Sequence, residues 1–160
     1  MASRLSRDAL HGTDLPASGG SYLLVLPVRR PLVLSVGKLG RLRIRDGTYV
    51  YAGSAQGPGG LRARVGRHLS GGRRRWHVDY LRAVAAPMGA LTLAAAGRWE
   101  CTWAGELASR SGCEPVAGFG ASDCGCPAHL FRLPDRLPSL AEIVSTPAGC
   151  ELVWHPVESA

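Results

Sequence analysis

The sequence predicts a single α+β domain with a central, mainly antiparallel sheet flanked by helices. A length of 160 residues suits one compact domain with its own core. Hydrophobic residues make up 46% of the chain, which supports a folded body, while 21 glycines and 11 prolines indicate many turns rather than a helical bundle. We expect a loose leader over residues 1–18, the domain over 19–146 and a C-terminal tail over 147–160.

Strand signals dominate the first third of the chain. The β-rich runs SYLLVLPV (residues 21–28) and LVLSVG (32–37) are separated by a break at Pro31. RLRIR (41–45) alternates apolar and basic residues, Asp46-Gly47 is typical of a tight hairpin, and TYVYAG (48–53) returns as the next strand. We therefore expect an antiparallel meander.

Helical patterns begin after this sheet. In LRARVGRHLS (61–70), Leu61, Val65 and Leu69 are four residues apart and predict a buried stripe, with Arg64 and His68 in a parallel stripe at its border. The later elements are predicted as a helix in WHVDYLRAVA, a strand in MGALTLAA, a helix in RWECTWAGELAS, a loop followed by a short strand in GFGASDCGCPAHLFRL, and a last helix in SLAEIVS.

Positive charge is concentrated in one part of the chain. The 19 Lys+Arg against 12 Asp+Glu leave a net charge of +7, and Lys38 is the only lysine. Residues 41–75 hold nine arginines and a single acid, Asp46. One guanidinium group can bind two phosphate oxygens at once, so this segment is the footprint expected where a polyanion such as a nucleic acid lies. A biased residue usage or a plain solvated face are the alternative explanations.

The sequence holds no signal-peptide or membrane pattern. The first 18 residues mix charges with turn formers, and the weakly polar run over residues 83–97 is broken by Pro87 and falls short of the roughly 20 residues of a membrane helix. An odd count of five cysteines favours reduced thiols over a disulfide framework. We expect a cytoplasmic protein without a membrane span.

Five residues carry groups that phosphodiester hydrolysis needs. A carboxylate such as Glu100 can hold a divalent cation, Arg64 can stabilise charge on a phosphate, and a phenol (Tyr22 or Tyr51) or the His68 imidazole can accept a proton from water. A basic tyrosine requires a lowered pKa, which we expect the nearby arginines to supply. The alternatives are that the tyrosines are ordinary sheet aromatics and Glu100 a first-turn acid favoured by the helix dipole.

In their order along the chain, these segments resemble the GIY-YIG nuclease family, in particular its small Uri-type branch. The two tripeptides of the family match Gly20-Ser21-Tyr22 and Tyr51-Ala52-Gly53. YAGSAQGPGGLRARVGRH is similar to the second motif, loop and arginine helix, and WEC (99–101) to the segment with the metal-binding glutamate. The resemblance covers about residues 20–131.

The resemblance implies a Mg²⁺-dependent (or Mn²⁺-dependent) endonuclease acting on DNA, with RNA left open as a substrate. It implies Tyr22 or Tyr51 as proton acceptor, Arg64 as the stabiliser of the transition state, and Glu100 as the metal ligand. His68 and His77 would assist. The expected nucleic-acid contacts are Ser54, Arg62, Arg67, Arg73, Arg74 and Arg75.

The sequence also departs from the family pattern. A strand pair intervenes between the tripeptides, and the chain contains no asparagine to match the late asparagine of the family. A nucleic-acid-binding module that keeps the fold without turnover is therefore the alternative function. Asp79 is two residues from His77, on a different helix face, and we expect it to cap or pair locally.

The segment SDCGCPAH (122–129) suggests a second kind of chemistry. Cys124, Cys126 and His129 are three potential ligands of a structural zinc ion, which needs four, so Cys101 or Cys113 would have to complete the set. The alternative is a tight loop with packed thiols. A zinc-stabilised interaction protein is thus a third possible function.

Overall fold

The computed structural model describes residues 15–71, 73–136 and 139–157. Within these residues the chain forms eight strands and four α-helices, which confirms the predicted α+β class. The strands are β1 (Ser21–Val28), β2 (Leu32–Val36), β3 (Gly40–Ile44), β4 (Gly47–Ser54), β5 (Gly89–Leu93), β6 (Glu114–Pro115), β7 (Leu130–Arg132) and β8 (Val153–Pro156). The helices are α1 (Gly60–Ser70), α2 (His77–Arg82), α3 (Trp99–Ala108) and α4 (Leu140–Ile143), and a 3₁₀ turn (Gly37–Leu39) joins β2 to β3.

Six strands make one antiparallel sheet in the order β6-β7-β4-β1-β5-β8. The central strand β1 is apolar on both faces and almost wholly buried, which a continuous apolar run permits. Pro27 lies beyond Val25, the last β1 residue paired with β5, so its missing N–H falls where β1 has one partner strand only.

The predicted meander is wrong in its middle. β2 and β3 pair only with each other, and β4 pairs directly with β1 from Ser21↔Ser54 to Val28↔Gly47. The reason is burial. β4 is buried on both faces, whereas the hairpin buries one face only, through Leu34, Val36 and Ile44. The pair of strands β2 and β3, the hairpin, therefore packs on α2 as a separate two-stranded sheet. Asp46-Gly47 leads the chain from β3 into the large sheet and does not pair β3 with β4.

Two apolar cores lie on opposite faces of the large sheet. One contains Tyr22 and Tyr51 from the strands, with α1, α2 and the hairpin packed over them. The other contains Leu23 and Ala52, with α3 and α4 over them. Side chains alternate along each strand, so neighbouring residues of one tripeptide serve opposite faces.

Both expected ends of the domain differ in the structure. Leu15 is fully buried, and the carbonyls of Leu15 and Pro16 accept hydrogen bonds from Arg62, so residues 15–18 lie against α1 instead of forming part of a loose leader. Residues 1–14 of that leader lie outside the described residues. The expected tail over 147–160 includes β8, which pairs with β5 from Gly89↔Pro156 to Thr92↔Val153 at the edge of the sheet.

Among the described residues, no helix combines the length and the apolar character that crossing a membrane requires.

Candidate functional site

A chain of three polar side chains is buried between β1, α1 and α2. The Tyr22 hydroxyl lies 2.8 Å from His68 Nε2. His68 Nδ1 in turn lies 3.2 Å from Asp79 Oδ1, an ion-pair approach whose angle falls short of a well-aligned hydrogen bond. Because Nδ1 faces a carboxylate, its proton belongs on that nitrogen and Nε2 accepts from the phenol.

Both carboxylate oxygens of Asp79 accept hydrogen bonds, which stabilise its negative charge. It accepts hydrogen bonds from the backbone N–H groups of Arg75 (2.7 Å) and Trp76 (2.9 Å) and from Arg82 Nε (2.9 Å). The expectation that Asp79 caps or pairs locally is confirmed by these bonds. Its contact with His68, one helix away, could not be read from sequence spacing, since it depends on how α1 and α2 pack.

Burial dominates the protonation of the tyrosines. Loss of solvent raises the pKa of Tyr22 well above its usual value, and the Arg64 charge and hydrogen bond offset this only in part. Loss of solvent likewise raises the pKa of Tyr51 to about 12, again against the charge of Arg64. The expectation that nearby arginines produce a low phenol pKa is therefore wrong, because both rings lie within the core.

Arg64 stands at the border predicted for it, next to the Tyr22 hydroxyl. Its guanidinium carbon also lies 3.7 Å from the centre of the Trp76 ring, and that of Arg67 lies 4.2 Å from it. The buried stripe of α1 is confirmed at Leu61 and Val65, while His68 is buried more completely than Leu69.

A cleft of about 360 Å³ opens beside this cluster, between the glycine-rich loop before α1 and the start of α2. Arg64, Arg67, Arg75 and Trp76 line it. Among the described residues, Nε and Nη2 of Arg67 have no hydrogen-bond partner, and Nη2 lies 4.0 Å from Asp79 Oδ2, so this guanidinium lies between the cleft and the buried carboxylate. The cleft thus combines positive charge with an aromatic ring.

The other predicted contact residues lie around the cleft or away from it. Arg73 and Arg74 are exposed, with Arg74 over the ring of Tyr80. Arg62 is tied to the Leu15 carbonyl, and Ser54 is half-buried at the end of β4.

His77 has a structural contact. Its Nδ1 accepts a hydrogen bond of 2.8 Å from the Gly120 N–H, and burial lowers its pKa, so the ring is neutral. A side chain at Gly120 would come within 2.7 Å of the Tyr51 ring. The His77 ring therefore holds the loop at Gly120 against Tyr51 by accepting a hydrogen bond from the loop backbone.

Glu100 approaches from the other face of the sheet. It lies in the first turn of α3, is 7% exposed, and accepts a hydrogen bond of 3.1 Å from Ser21 Oγ. Arg98 Nε lies 3.7 Å from its second oxygen. Ser21 precedes Tyr22 in β1, and the charges acting on Tyr51 include both Arg64 and Glu100. The structure thus brings Tyr22, Tyr51 and Arg64 together on one face, with Glu100 at the neighbouring end of β1.

A group that could hold a metal ion adjoins Glu100. One ligand atom from each of Cys101, Cys124, Cys126 and His129 lies within 4.8 Å of the other three. Cys101 is thus the fourth residue that the sequence pattern required, and Cys113 lies elsewhere in the core. Thiolate and imidazole donors suit zinc far better than Mg²⁺.

Two of these thiols are hard to deprotonate without a cation. Burial and the neighbouring thiols raise the pKa of Cys126 to about 12, and burial raises that of Cys101. Binding of a metal ion to these two cysteines would therefore have to release their protons.

Comparison with known proteins places the chain in a family. No curated protein and no solved structure matches the chain. A family model described as "Domain of unknown function DUF123" matches residues 21–150, a span that contains the candidate site residues from Ser21 to His129. Because this match covers well over half of the 160 residues, the chain belongs to the DUF123 family.

Proposed function

We propose that this protein hydrolyses phosphodiester bonds in nucleic acid, with DNA as the expected substrate, as its resemblance to GIY-YIG nucleases implies. The observation that carries the proposal is the contact of the Tyr22 hydroxyl with His68 Nε2 at 2.8 Å, backed by Asp79 and flanked by Arg64. Any buried phenol needs a hydrogen-bond partner, but an imidazole that faces a carboxylate is a partner that can also accept a proton from it.

The proton path follows from these contacts. A phenol with a raised pKa is a poor free base, but Tyr22 can accept a proton from an attacking water while it passes its own proton to His68. Asp79 then faces the imidazolium that forms and stabilises its charge. The new bond joins the water oxygen to phosphorus, and the bond to the leaving oxygen breaks.

Arg64 supplies positive charge at the point where the phosphate would gain negative charge. It lines the cleft and reaches the Tyr22 hydroxyl, so it can contact phosphate on one side and the phenol on the other. The cleft arginines would hold the flanking phosphates, and Trp76 offers a face for a base.

Glu100 is the residue that would hold Mg²⁺ (or Mn²⁺). Its carboxylate is a hard oxygen donor, and Mg²⁺ accepts one or two carboxylates with water and phosphate completing its shell. Ser21 Oγ donates a hydrogen bond to one oxygen of Glu100, while Arg98 Nε lies 3.7 Å from the other, beyond hydrogen-bond distance, so this second oxygen is the one offered to a cation. A cation bound there would neutralise charge on the scissile phosphate.

Nicking of supercoiled plasmid with Mg²⁺ or with EDTA tests the proposal. We expect Tyr22→Phe and Glu100→Gln each to lower the rate by about 100-fold or more, while the wild-type chain is inactive in EDTA. The matched controls are Tyr49→Phe, a tyrosine of the same sheet that bonds the Arg45 carbonyl, and Glu106→Gln, farther along α3. Cleavage that survives both Tyr22→Phe and Glu100→Gln would contradict the proposal.

The second candidate is a nucleic-acid-binding module without turnover. The observation that favours it is the burial of Tyr22, which is only 1% exposed, because a substrate water needs access to the phenol. A wild-type chain that binds DNA in the cleft but never nicks it would select this candidate.

A further inference from the structure

Three remote stretches of the chain deliver four metal-ligand side chains to one place. Cys101 lies in the first turn of α3, Cys124 and Cys126 lie in the loop before β7, and His129 directly precedes β7. All four ligand atoms lie within 4.8 Å of one another. The group includes a histidine nitrogen as well as three thiols, which is one of the usual ligand sets of zinc.

The distances match a tetrahedral site. Zinc bonds of ≈ 2.3 Å to sulfur and ≈ 2.0–2.1 Å to nitrogen give ligand-to-ligand edges of about 3.5–3.8 Å. His129 Nε2 lies 3.2 Å from Cys124 Sγ and 3.9 Å from Cys101 Sγ, and these two separations bracket that range.

His129 is oriented as a ligand. Its ring is 3% exposed, and Nδ1 lies 2.9 Å from the Ala52 carbonyl oxygen, which can only accept. The proton is therefore on Nδ1, and the lone pair of Nε2 points at sulfur. Fixing one imidazole nitrogen on a carbonyl in this way is the usual outer shell of a zinc-bound histidine.

We propose that Cys101, Cys124, Cys126 and His129 bind one zinc ion in a closed, structural site. Four protein ligands leave no open position, so this zinc has no direct role in hydrolysis. The zinc ion would connect the first turn of α3 and the loop before β7 to β4. The backbone carbonyl of His129 also accepts a hydrogen bond of 2.9 Å from the N–H of Ala52 in β4. Glu100 directly precedes the ligand Cys101, and Tyr51 directly precedes Ala52, whose carbonyl contacts the ligand His129. The zinc ion would therefore fix the position of Glu100 relative to that of Tyr51.

Metal analysis of the full-length chain, purified under reducing conditions, tests this proposal. We expect one zinc per chain by mass spectrometry, loss of zinc in Cys126→Ser, and retention of one zinc in Cys150→Ser, whose half-buried thiol lies outside the cluster. Loss of metal in Cys150→Ser to the same extent would contradict the assignment.

The wild-type chain gives a test that does not depend on the folding of variants. Removal of metal by a chelator should lower the melting temperature, and zinc should restore it while Mg²⁺ should not. Cobalt in place of zinc should show the visible absorption of a tetrahedral thiolate site. A folded, reduced chain that takes up neither zinc nor cobalt overturns the proposal. None of these readouts uses cleavage, so the zinc site and the nuclease function stand or fall separately.

Discussion

Asp79 shows how one buried residue can organise a site. Its carboxylate is fully buried, yet two backbone N–H groups, Arg82 and His68 surround it. Burial alone would raise the pKa of Asp79, but the close contact with His68 and the hydrogen bonds from the two N–H groups and Arg82 outweigh it and hold this pKa well below its usual value. Asp79 therefore enters the folded state charged.

This depressed pKa predicts how stability depends on pH. The folded state binds fewer protons than the unfolded state, in which an aspartate titrates near ~3.9, so the stabilisation is complete above that pH and is lost as pH falls through the folded pKa. We expect Asp79→Asn to lower the free energy of unfolding at neutral pH by about 1.5–3 kcal/mol, and to lose less than the wild type on acidification. Urea unfolding between neutral and acidic pH measures both effects, with the exposed Asp135→Asn as control. Curves for Asp79→Asn and wild type that run parallel into acid would refute this account.

Gly53 is required by its close approach to Tyr22. The two residues are paired across β1 and β4, and a Cβ at Gly53 would lie 2.4 Å from the Tyr22 hydroxyl oxygen and 2.3 Å from the ring carbon that bears it. The last glycine of the second tripeptide thus makes room for the phenol of the first. This explains a motif that the sequence could only match by resemblance.

Gly53→Ala should therefore displace the Tyr22 hydroxyl from His68. We expect a loss of about 1–3 kcal/mol in the free energy of unfolding from overpacking, together with loss of nicking activity. Gly66→Ala in α1 is the control, because its Cβ would meet only Leu15 at 3.9 Å and should stabilise the helix by up to about 1 kcal/mol. Equal stability of the wild type and Gly53→Ala by chemical denaturation would show that the phenol is not held as described.

At the scale of elements, the approach of α1 to the segment before α2 builds the basic cleft. Arg67 from α1 and Arg75 from the segment before α2 line it beside Trp76. A concentration of arginines in the sequence could indicate a nucleic-acid footprint without showing which of them share a surface. The cleft selects Arg67 and Arg75, whereas Arg62 is tied to the Leu15 carbonyl.

Salt dependence of DNA binding tests this selection. Each phosphate contact releases counterions, so Arg67→Ala and Arg75→Ala should weaken binding for all sequences and each reduce the slope of log K against log salt by about 1. Arg110→Ala, an exposed arginine just after α3, should leave the slope unchanged. Fluorescence anisotropy of a labelled duplex at several salt concentrations measures the slope. A slope that responds equally to Arg110→Ala would indicate general charge attraction instead of binding in the cleft.

At the scale of the whole molecule, local patterns predicted elements better than they predicted partners. The apolar runs of β1 and β4 and the stripe of Leu61 and Val65 were sufficient to place these elements, because burial fixes their periodicity. The choice of β1 as the partner of β4 depends on contacts across the intervening hairpin, which no local turn signal encodes. The sequence could not single out Cys101 as a metal ligand for the same reason. Cys101 and His129 are far apart in the chain, and they come within 3.9 Å of each other only because α3 packs on the sheet.

The strand β8 gives the last prediction, because it closes the β5 edge of the sheet. It pairs with β5 from Gly89↔Pro156 to Thr92↔Val153, Thr92 Oγ1 lies 2.9 Å from His155 Nε2, and Leu152 is 3% exposed. Deletion of residues 151–160 should remove about 1.5–3 kcal/mol for Leu152 alone, in addition to the strand ladder, and leave β5 as an open edge that favours self-association. Chemical denaturation and light scattering measure the two effects, with Glu151→Ala, an exposed change, as the control. A truncated chain with the oligomeric state and the stability of the wild type would mean that β8 contributes no more than a tail. A truncated chain that is less stable and self-associates would establish β8 as an integral strand of the six-stranded sheet.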